Sequence, residues 1–295
     1  KIMEKNLYID ASHPNETRVV LKSNNNIEDY EYEGSKNNLI KNNIYLGKVS
    51  RIEPSLQAAF IDFGRERHGF LSFNDIQSDY YQLPSDDKER IRLAEEKIRE
   101  DLKETTETKD QSSPENIEED QNSNNVNNNN NNNNSVANKP PDSDQPEKIR
   151  EKLRSRYGVR RYKIQEVIRP GQVLLIQVIK EERGQKGAAL TTFVSLAGKY
   201  IVLMPNTPKG GGISRKIFNS IDRKKIRNIL SQIKIPKEMG VIVRTAGSNK
   251  TKNEIDNDLE NLIKVWESIK DTAMNSLAPS LIHRESDIIK RSLRD

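Results

Sequence analysis

The chain has 295 residues, of which 33% are hydrophobic and 32% are charged, and its formal net charge is +5. It has no cysteine, and its three histidines lie far apart, which excludes disulfides, thiolate catalysis and metal motifs built from cysteine or histidine. Residues 77–147 carry 18 acidic and 8 basic side chains, which leaves 41 basic against 26 acidic elsewhere, so the rest of the chain is strongly basic.

The first 40 residues predict a small β-sheet. Residues 7–9, 18–22 and 30–32 are rich in β-formers and are separated by Asn, Ser, Pro and Gly. The start of the chain has no signal-peptide core, and no stretch of 18 apolar residues follows it, so we expect a cytoplasmic protein without a membrane span. Because the sequence begins with Lys1 and stops at Asp295, we expect a piece of a longer product.

The next group of predicted strands indicates a five-stranded barrel. Residues 43–52, 57–64 and 68–72 form three short strands with glycine in their turns. Residues 171–178 and 187–193 are predicted to complete the barrel after a long interruption.

The interruption, at about residues 84–161, is predicted to be a disordered insertion. Residues 87–107 have a thin apolar stripe at helical spacing, and residues 111–146 include eight consecutive asparagines. Such a stretch buries too little apolar surface to offset its chain entropy. The basic run 148–163 is either a solvated helix face, part of a surface that binds a polyanion, or a partner for the acidic side chains of the insertion.

The last hundred residues alternate strands and helices. Residues 200–204 and 241–244 read as strands, and residues 222–233 and 254–275 read as helices with apolar side chains at helical spacing. Residues 209–216 contain three glycines followed by Arg215 and Lys216 but lack the GxxxxGK[ST] pattern, which argues against nucleotide hydrolysis. This loop is either a flexible contact for an anionic ligand or a plain surface turn.

Aromatic rings among cations on the barrel indicate a platform for single-stranded nucleic acid, because bases stack on rings while cations follow the phosphates. The rings are Phe60, Phe63 and Phe70, and the cations include Lys48, Arg65, Arg67, His68 and Lys186. Phe60 and Phe63 have opposite strand parity, so at least one of them should point into the core. Phe70 is the better candidate for an exposed ring, although each ring alone could equally be core.

Several stretches resemble the ribonuclease E/G family in the same order along the chain. They are 43–60 (NIYLGKVSRIEPSLQAAF), 66–71 (ERHGFL), 180–192 (KEERGQKGAALTT), 195–206 and 240–247 (GVIVRTAG). The resemblance implies a multidomain α+β fold in which an S1-type OB-fold barrel lies between parts of an RNase H-like and 5′-sensor region. The implied domains are 1–40 (RNase H-like part), 41–192 (OB-fold), 193–285 (5′-phosphate sensor) and 286–295 (the start of the remaining RNase H-like part).

The resemblance also implies the site residues and the function. It places Phe60, Phe70 and Lys186 on the RNA-contacting face, to which we add Arg67, Arg215 and Lys216, and it places Gly198, Val202, Arg244 and Thr245 around a 5′-monophosphate. The implied function is the RNA-binding, 5′-sensing part of a single-strand-specific endoribonuclease of rRNA and tRNA processing and mRNA decay. A non-catalytic RNA-binding protein and an OB-fold ribosome or translation factor are the alternatives.

No catalytic or metal-binding residue is assigned, because no pair of carboxylates has a telling spacing. The family's Mg²⁺ is implied to lie in a DNase I-like catalytic subdomain that we expect to be absent from this chain, so we expect no cofactor here and no cleavage by the chain alone. The expected partner is single-stranded RNA rather than DNA. Homo-oligomerisation would use regions that are also expected to be absent, including the cysteines of the family's zinc link.

Overall fold

The computed structural model describes residues 5–13, 16–24, 26–34, 40–94, 162–182, 186–207, 212–236, 238–285 and 288–294. Most of the predicted insertion, the basic run up to residue 161 and the first glycines of the 209–216 loop lie outside these residues. By its internal contacts the chain divides into Lys1–Glu89 with Arg161–Asp295 as one unit and Arg90–Arg160 as another. In the second unit the structure describes only residues 90–94, which are helical.

The N-terminal sheet is an antiparallel meander of β1 (Lys5–His13), β2 (Glu16–Ser23) and β3 (Asn26–Gly34). Each strand contains one of the three predicted runs and extends beyond it. Asn24, in the left-handed region at φ 52°, makes the second turn, a conformation that asparagine adopts more readily than most residues. The predicted N-terminal strands are therefore confirmed and are longer than predicted.

The predicted five-stranded barrel is confirmed as a closed sheet. Its strands are β4 (Ile44–Glu53), β5 (Ala58–Asp62), β6 (Gly69–Ser72), β7 (Val173–Lys180) and β8 (Ala189–Thr191). The order around the barrel is β4-β5-β6-β8-β7, and β7 pairs back onto β4. Only the β6–β8 pair of this barrel is parallel.

The barrel core is built by the alternation of side chains along each strand. The inward side chains are at most 1% exposed, and they include Val49, Ala59, Ile61, Leu71, Leu174, Ile176, Val178 and Leu190. At Gly47 a Cβ would lie 2.6 Å from Ile61 Cγ2 and 2.9 Å from Ile176 Cδ1, so only glycine fits where β4 crosses the core. A register shift between Val49 and Arg51 then bends β4 toward β5.

The second sheet has the order β11-β12-β10-β9. Its strands are β9 (Leu196–Ala197), β10 (Ile201–Met204), β11 (Gly212–Ile213) and β12 (Gly240–Val243). Besides the helical residues 85–94, the described residues include the helices α1 (Ile164–Val167), α2 (Ser220–Gln232), α3 (Lys252–Met274) and α4 (Ile288–Arg294). Both long helices and the β10 and β12 strands were predicted, whereas the two-residue strands β9 and β11 were not.

Helices α2 and α3 each begin at a cap and bury one face. Asn219 accepts from the Ile221 amide at the start of α2, and Thr251 and Glu254 form a capping box at the start of α3. The buried faces of α2 and α3 share one apolar cluster with the inner face of the sheet, including Ile201, Leu203, Val241, Val243, Ile226, Ile255, Leu259 and Leu262.

The last residues of the chain return to the earlier sheets. A strand that was not predicted, β13 (Ser280–His283), pairs antiparallel with β4 on the barrel. Helix α4 contacts β2 and β3, and there the Arg291 guanidinium lies 2.9 Å from the Glu31 carboxylate. Within the described residues, we find no helix that combines the length and the apolar character needed to span a membrane.

Candidate nucleic-acid interface and phosphate site

Five residues form one row across the outer face of the barrel. Successive strands pair Arg51 with Phe60, Phe60 with Phe70, Phe70 with Ala189, and Ala189 with Lys180. Paired residues of neighbouring strands project from the same face of a sheet. The aromatic row, as we call Arg51, Phe60, Phe70, Ala189 and Lys180, therefore has two adjacent rings in its middle and an exposed cation at each end.

The two rings of the row are half-buried and touch each other edge to face. The centroids of Phe60 and Phe70 are 6.0 Å apart, with an interplanar angle of 75°. The Arg51 guanidinium carbon lies 4.4 Å from the centroid of Phe60, within cation–π range. Phe63, by contrast, is 1% exposed and packs against Tyr45 inside the barrel. Phe63 is thus the inward ring that the opposite parity of Phe60 and Phe63 predicted.

Arg67 and Lys186, the predicted cations beside the rings, are both exposed. Gly187, the residue after Lys186, lies directly against the turn that holds Arg67. A Cβ at Gly187 would overlap the His68 carbonyl oxygen. This close approach places both cations beside the same end of β6. The predicted residues Phe60, Arg67, Phe70 and Lys186 therefore gather around one face of the barrel.

The four residues predicted to bind a phosphate lie at one edge of the second sheet. Arg244 follows β12, and its backbone N–H donates to the Tyr200 carbonyl at 2.8 Å, while its Nη1 donates to the Gly198 carbonyl at 2.8 Å. Val202 is half-buried on β10, opposite Ala197 and Ile242. Thr245 is exposed and begins a short 3-10 turn. Gly198, Arg244 and Thr245 thus come together around the turn between β9 and β10.

Further cations lie close to this turn. The Lys250 ammonium lies 4.9 Å from the centroid of the Tyr200 ring and 3.2 Å from the Glu254 carboxylate. The hydrogen bond to Glu254 raises the pKa of Lys250, so this side chain stays cationic. Arg294 at the end of α4 donates to the Ala197 carbonyl at 3.3 Å. Each of these two cations is also paired with a carboxylate, Lys250 with Glu254 and Arg294 with Glu285, so the charges around the turn are largely balanced.

The loop that carries Arg215 and Lys216 reaches the same edge. Strands β11 and β12 are parallel, with Ile213 opposite Val243, and the Ser214 amide donates to the Val243 carbonyl at 2.9 Å. Parallel strands end at a common edge, so Arg215 and Arg244 leave the sheet on the same side. Both Arg215 and Lys216 are exposed.

Among the described residues, no group of three or more His, Asp or Glu side chains could hold a metal ion.

Sequence reasoning did not select three residues that the structure adds. Arg51 and Lys180 end the aromatic row. By alternation they share the parity of the inward residues Val49 and Val178, so no signal in the sequence marked them. Only the register shifts between Val49 and Arg51 and between Val178 and Lys180 turn them outward. Asp258 on α3 contacts the turn between β9 and β10. In the sequence, Asp258 could have been noticed as an acidic residue between Ile255 and Leu262 on an otherwise apolar helix face.

The comparisons with known proteins agree on one family. Residues 195–295 match the ribonuclease E/G family. Over 291 residues, or 99% of this chain, the sequence is 37% identical to ribonuclease E of Escherichia coli. Over the same length it is 36% identical both to ribonuclease E of Buchnera aphidicola subsp. Schizaphis graminum and to that of Haemophilus influenzae. The chain spans 21–23% of the length of these three relatives.

Proposed function

Since this chain belongs to the ribonuclease E/G family, we propose that it is the part of a ribonuclease that binds single-stranded RNA and senses its 5′-monophosphate. The aromatic row on the barrel binds bases and phosphates, and Arg244 and Thr245 hold the terminal phosphate. Cleavage of RNA, which the names of the relatives imply, is proposed for the whole protein, with Mg²⁺ supplied outside the described residues.

The observation that carries this proposal is the aromatic row itself. Two adjacent half-exposed rings on an outer sheet face accept stacked bases without selecting a base, because every base has a π-face. Arg51 and Lys180 at the ends of the row, with Arg67 and Lys186 beside it, supply the charge that phosphates require. A duplex keeps its bases stacked inside, so this surface favours single strands over duplexes.

The phosphate site is supported by the chemistry of Arg244. A guanidinium carries five N–H donors in a planar fork that matches the oxygens of a phosphate, and the bond from Nη1 to the Gly198 carbonyl holds this fork in place. The hydroxyl of the exposed Thr245, the next residue, is a further donor for a phosphate oxygen. Arg215 and Lys216 at the same sheet edge would hold the nucleotides that follow the 5′ end.

Titration of the chain with RNA tests the first half of the proposal. We expect a single-stranded oligoribonucleotide to bind more tightly than the same sequence in a duplex. Its affinity should fall with salt at a log-log slope of about −0.7 per phosphate neutralised. Equal affinity for both forms, measured by fluorescence anisotropy, would show that the chain reads charge alone.

Arg244→Ala tests the second half. We expect it to weaken binding of 5′-monophosphate RNA by about tenfold to a hundredfold, as the loss of a charge-assisted hydrogen bond of about 1.5–3 kcal/mol predicts. Binding of circular RNA of the same sequence should hardly change. Arg244→Lys, which keeps the charge without the fork, is the matched control and should restore only part of the preference. Equal losses on both RNAs would mean that Arg244 only neutralises backbone charge.

A further inference from the structure

We propose that Asp258 is the positioning residue of the phosphate site: its carboxylate holds the turn between β9 and β10 in the shape that orients Arg244. This inference rests on the proposed function of Arg244. Asp258 does not reach the phosphate itself, and its effect passes through the turn.

The Asp258 side chain accepts three hydrogen bonds from the turn. Its two carboxylate oxygens accept from the backbone N–H groups of Tyr200 at 2.8 Å, Ile201 at 3.2 Å and Lys199 at 3.3 Å. Three consecutive amides therefore point at one carboxylate. Hydrogen bonds from backbone amides to a charged acceptor are stronger than bonds between neutral groups.

The turn between β9 and β10 holds both the backbone and the side chain of Arg244. The Tyr200 carbonyl accepts from the Arg244 backbone N–H, and the Gly198 carbonyl accepts from Arg244 Nη1. The peptide unit that contributes the Gly198 carbonyl also contributes the Lys199 N–H that Asp258 binds. A rotation of that peptide would move the acceptor of the guanidinium, so the carboxylate and the guanidinium are coupled through one peptide plane.

Gly198 shows how closely Asp258 approaches. A Cβ at this position would lie 2.6 Å from Asp258 Oδ2 and 2.8 Å from Oδ1. Any side chain there would push the carboxylate away from the turn amides. The need for glycine at this position is thus explained by Asp258, separately from any contact between Gly198 and RNA.

The position of Asp258 is set by the core of the second sheet. Ile255, Leu259 and Leu262 of α3 are buried against the sheet, and Asp258 lies on the same side of the helix at spacings of three and four residues. Packing of the helix therefore fixes the position of the carboxylate relative to the turn. The contacts with the turn amides thus account for an acidic side chain on the apolar face of α3.

Asp258→Asn is the direct test, because it keeps the shape of the side chain and replaces one acceptor oxygen by a donor. We expect the ratio of affinities for 5′-monophosphate over 5′-hydroxyl RNA to fall about tenfold, the equivalent of one charge-assisted hydrogen bond. The affinity for 5′-hydroxyl RNA should stay unchanged. Asp256→Asn makes the same charge change on the same helix and should leave both affinities as they are. An unchanged ratio in folded Asp258→Asn, or equal losses on both RNAs, would overturn the proposal.

The coupling between Gly198 and Asp258 gives a second test. Gly198→Ala should lower the same ratio, because the new methyl group displaces the carboxylate. When it is combined with Asp258→Ala, the clash is gone, so the double variant should lose less than the two single variants predict together. Fully additive losses would mean that the two residues act independently.

Amide hydrogen exchange of the unaltered chain separates failure of this inference from failure of the proposed function. Lys199 and Tyr200 lie outside the strands, yet their amides should exchange slowly because Asp258 accepts from both. Slow exchange together with no 5′-monophosphate preference would show that Asp258 holds the turn but that the turn does not sense a phosphate. In that case the proposed function fails, and with it the role of Asp258 in phosphate binding. Fast exchange would overturn the inference directly.

Discussion

At the scale of single residues, the barrel uses phenylalanine in two ways that differ only by strand parity. Phe60 and Phe63 are three positions apart, and the first points outward while the second packs on Tyr45 in the core. Phe60 meets Phe70 from the next strand, so the outer ring of each strand supports the other. Because the Arg51 guanidinium lies 4.4 Å from the centroid of Phe60, part of this ring is already covered, and a base would contact the ring surface that stays exposed.

Substitution of these rings separates binding from stability. We expect Phe70→Ala to weaken RNA binding by about 1–3 kcal/mol, as for a ring that stacks on a base, with a much smaller loss of folding stability. Phe63→Ala is the matched control and should lower the free energy of unfolding by about 3–5 kcal/mol because it empties a core site. RNA titration and chemical denaturation measure the two effects. A loss of stability in Phe70→Ala as large as that in Phe63→Ala would assign Phe70 to the core.

At the scale of elements, the barrel is extended by a strand from the far end of the chain. Strand β13 pairs with the first half of β4, whose other edge pairs with β7. His283 at the end of β13 is partly buried, and this burial lowers its pKa below the ordinary value, against the opposing effect of Glu285. The folded chain therefore holds His283 neutral more firmly than the unfolded chain does.

The pH dependence of stability follows from that shift. Below the ordinary pKa of about 6.5 the unfolded state binds a proton at His283 more readily than the folded state. The stabilisation present above that pH is therefore lost as the pH falls through the folded-state pKa. We expect the free energy of unfolding to decrease from pH 7 to pH 5, and to decrease less in His283→Gln. His68→Gln, at an exposed histidine, serves as the control and should keep the original slope. Identical slopes in all three proteins would contradict the assignment.

At the scale of the whole molecule, the long segment between β6 and β7 leaves and re-enters the barrel at neighbouring points. The Gln82 amide donates to the Val167 carbonyl at 2.8 Å, so the ends of this segment are joined by a backbone hydrogen bond. Gln172 Nε2 also donates to the Tyr80 carbonyl at 2.7 Å. Ile164 near the end of the segment is itself buried, and its amide donates to Gln57 Oε1 at 3.1 Å, so the described end of the segment is part of the barrel packing.

Deletion of residues 112–146 should accordingly leave the barrel intact. Since loop-closure entropy changes only logarithmically with length, we expect stabilisation by about 0.5 kcal/mol and an unchanged RNA affinity. Extending the deletion to residue 161 removes most of the basic run, and a shallower salt slope in that variant would place the run on the RNA track. Unfolding of the barrel by the shorter deletion, detected by circular dichroism, would contradict its independence from the deleted residues.

The sequence by itself determined the features that depend on a few neighbouring residues. Short β-rich runs with glycine in their turns located every barrel strand. The parity of Phe60 and Phe63 required that at least one ring face the core, and helical spacing found α2 and α3. The contiguous motifs around residues 43–60 and 240–247 were enough to indicate the ribonuclease E/G family. The domain boundaries and the roles of the ten predicted site residues stay predictions.

Only the tertiary structure decided which distant residues meet. The order β4-β5-β6-β8-β7 brings Arg51 and Lys180 into one row with the two rings, and packing of α3 brings Asp258 to a turn nearly sixty residues earlier. Strands β9 and β11 have two residues each, too few to show a period, and β13 is defined by its pairing with β4. The physical reason is that local periodicity depends on the preference of each side chain for a face, whereas register and strand order depend on long-range pairing energies that no short window contains.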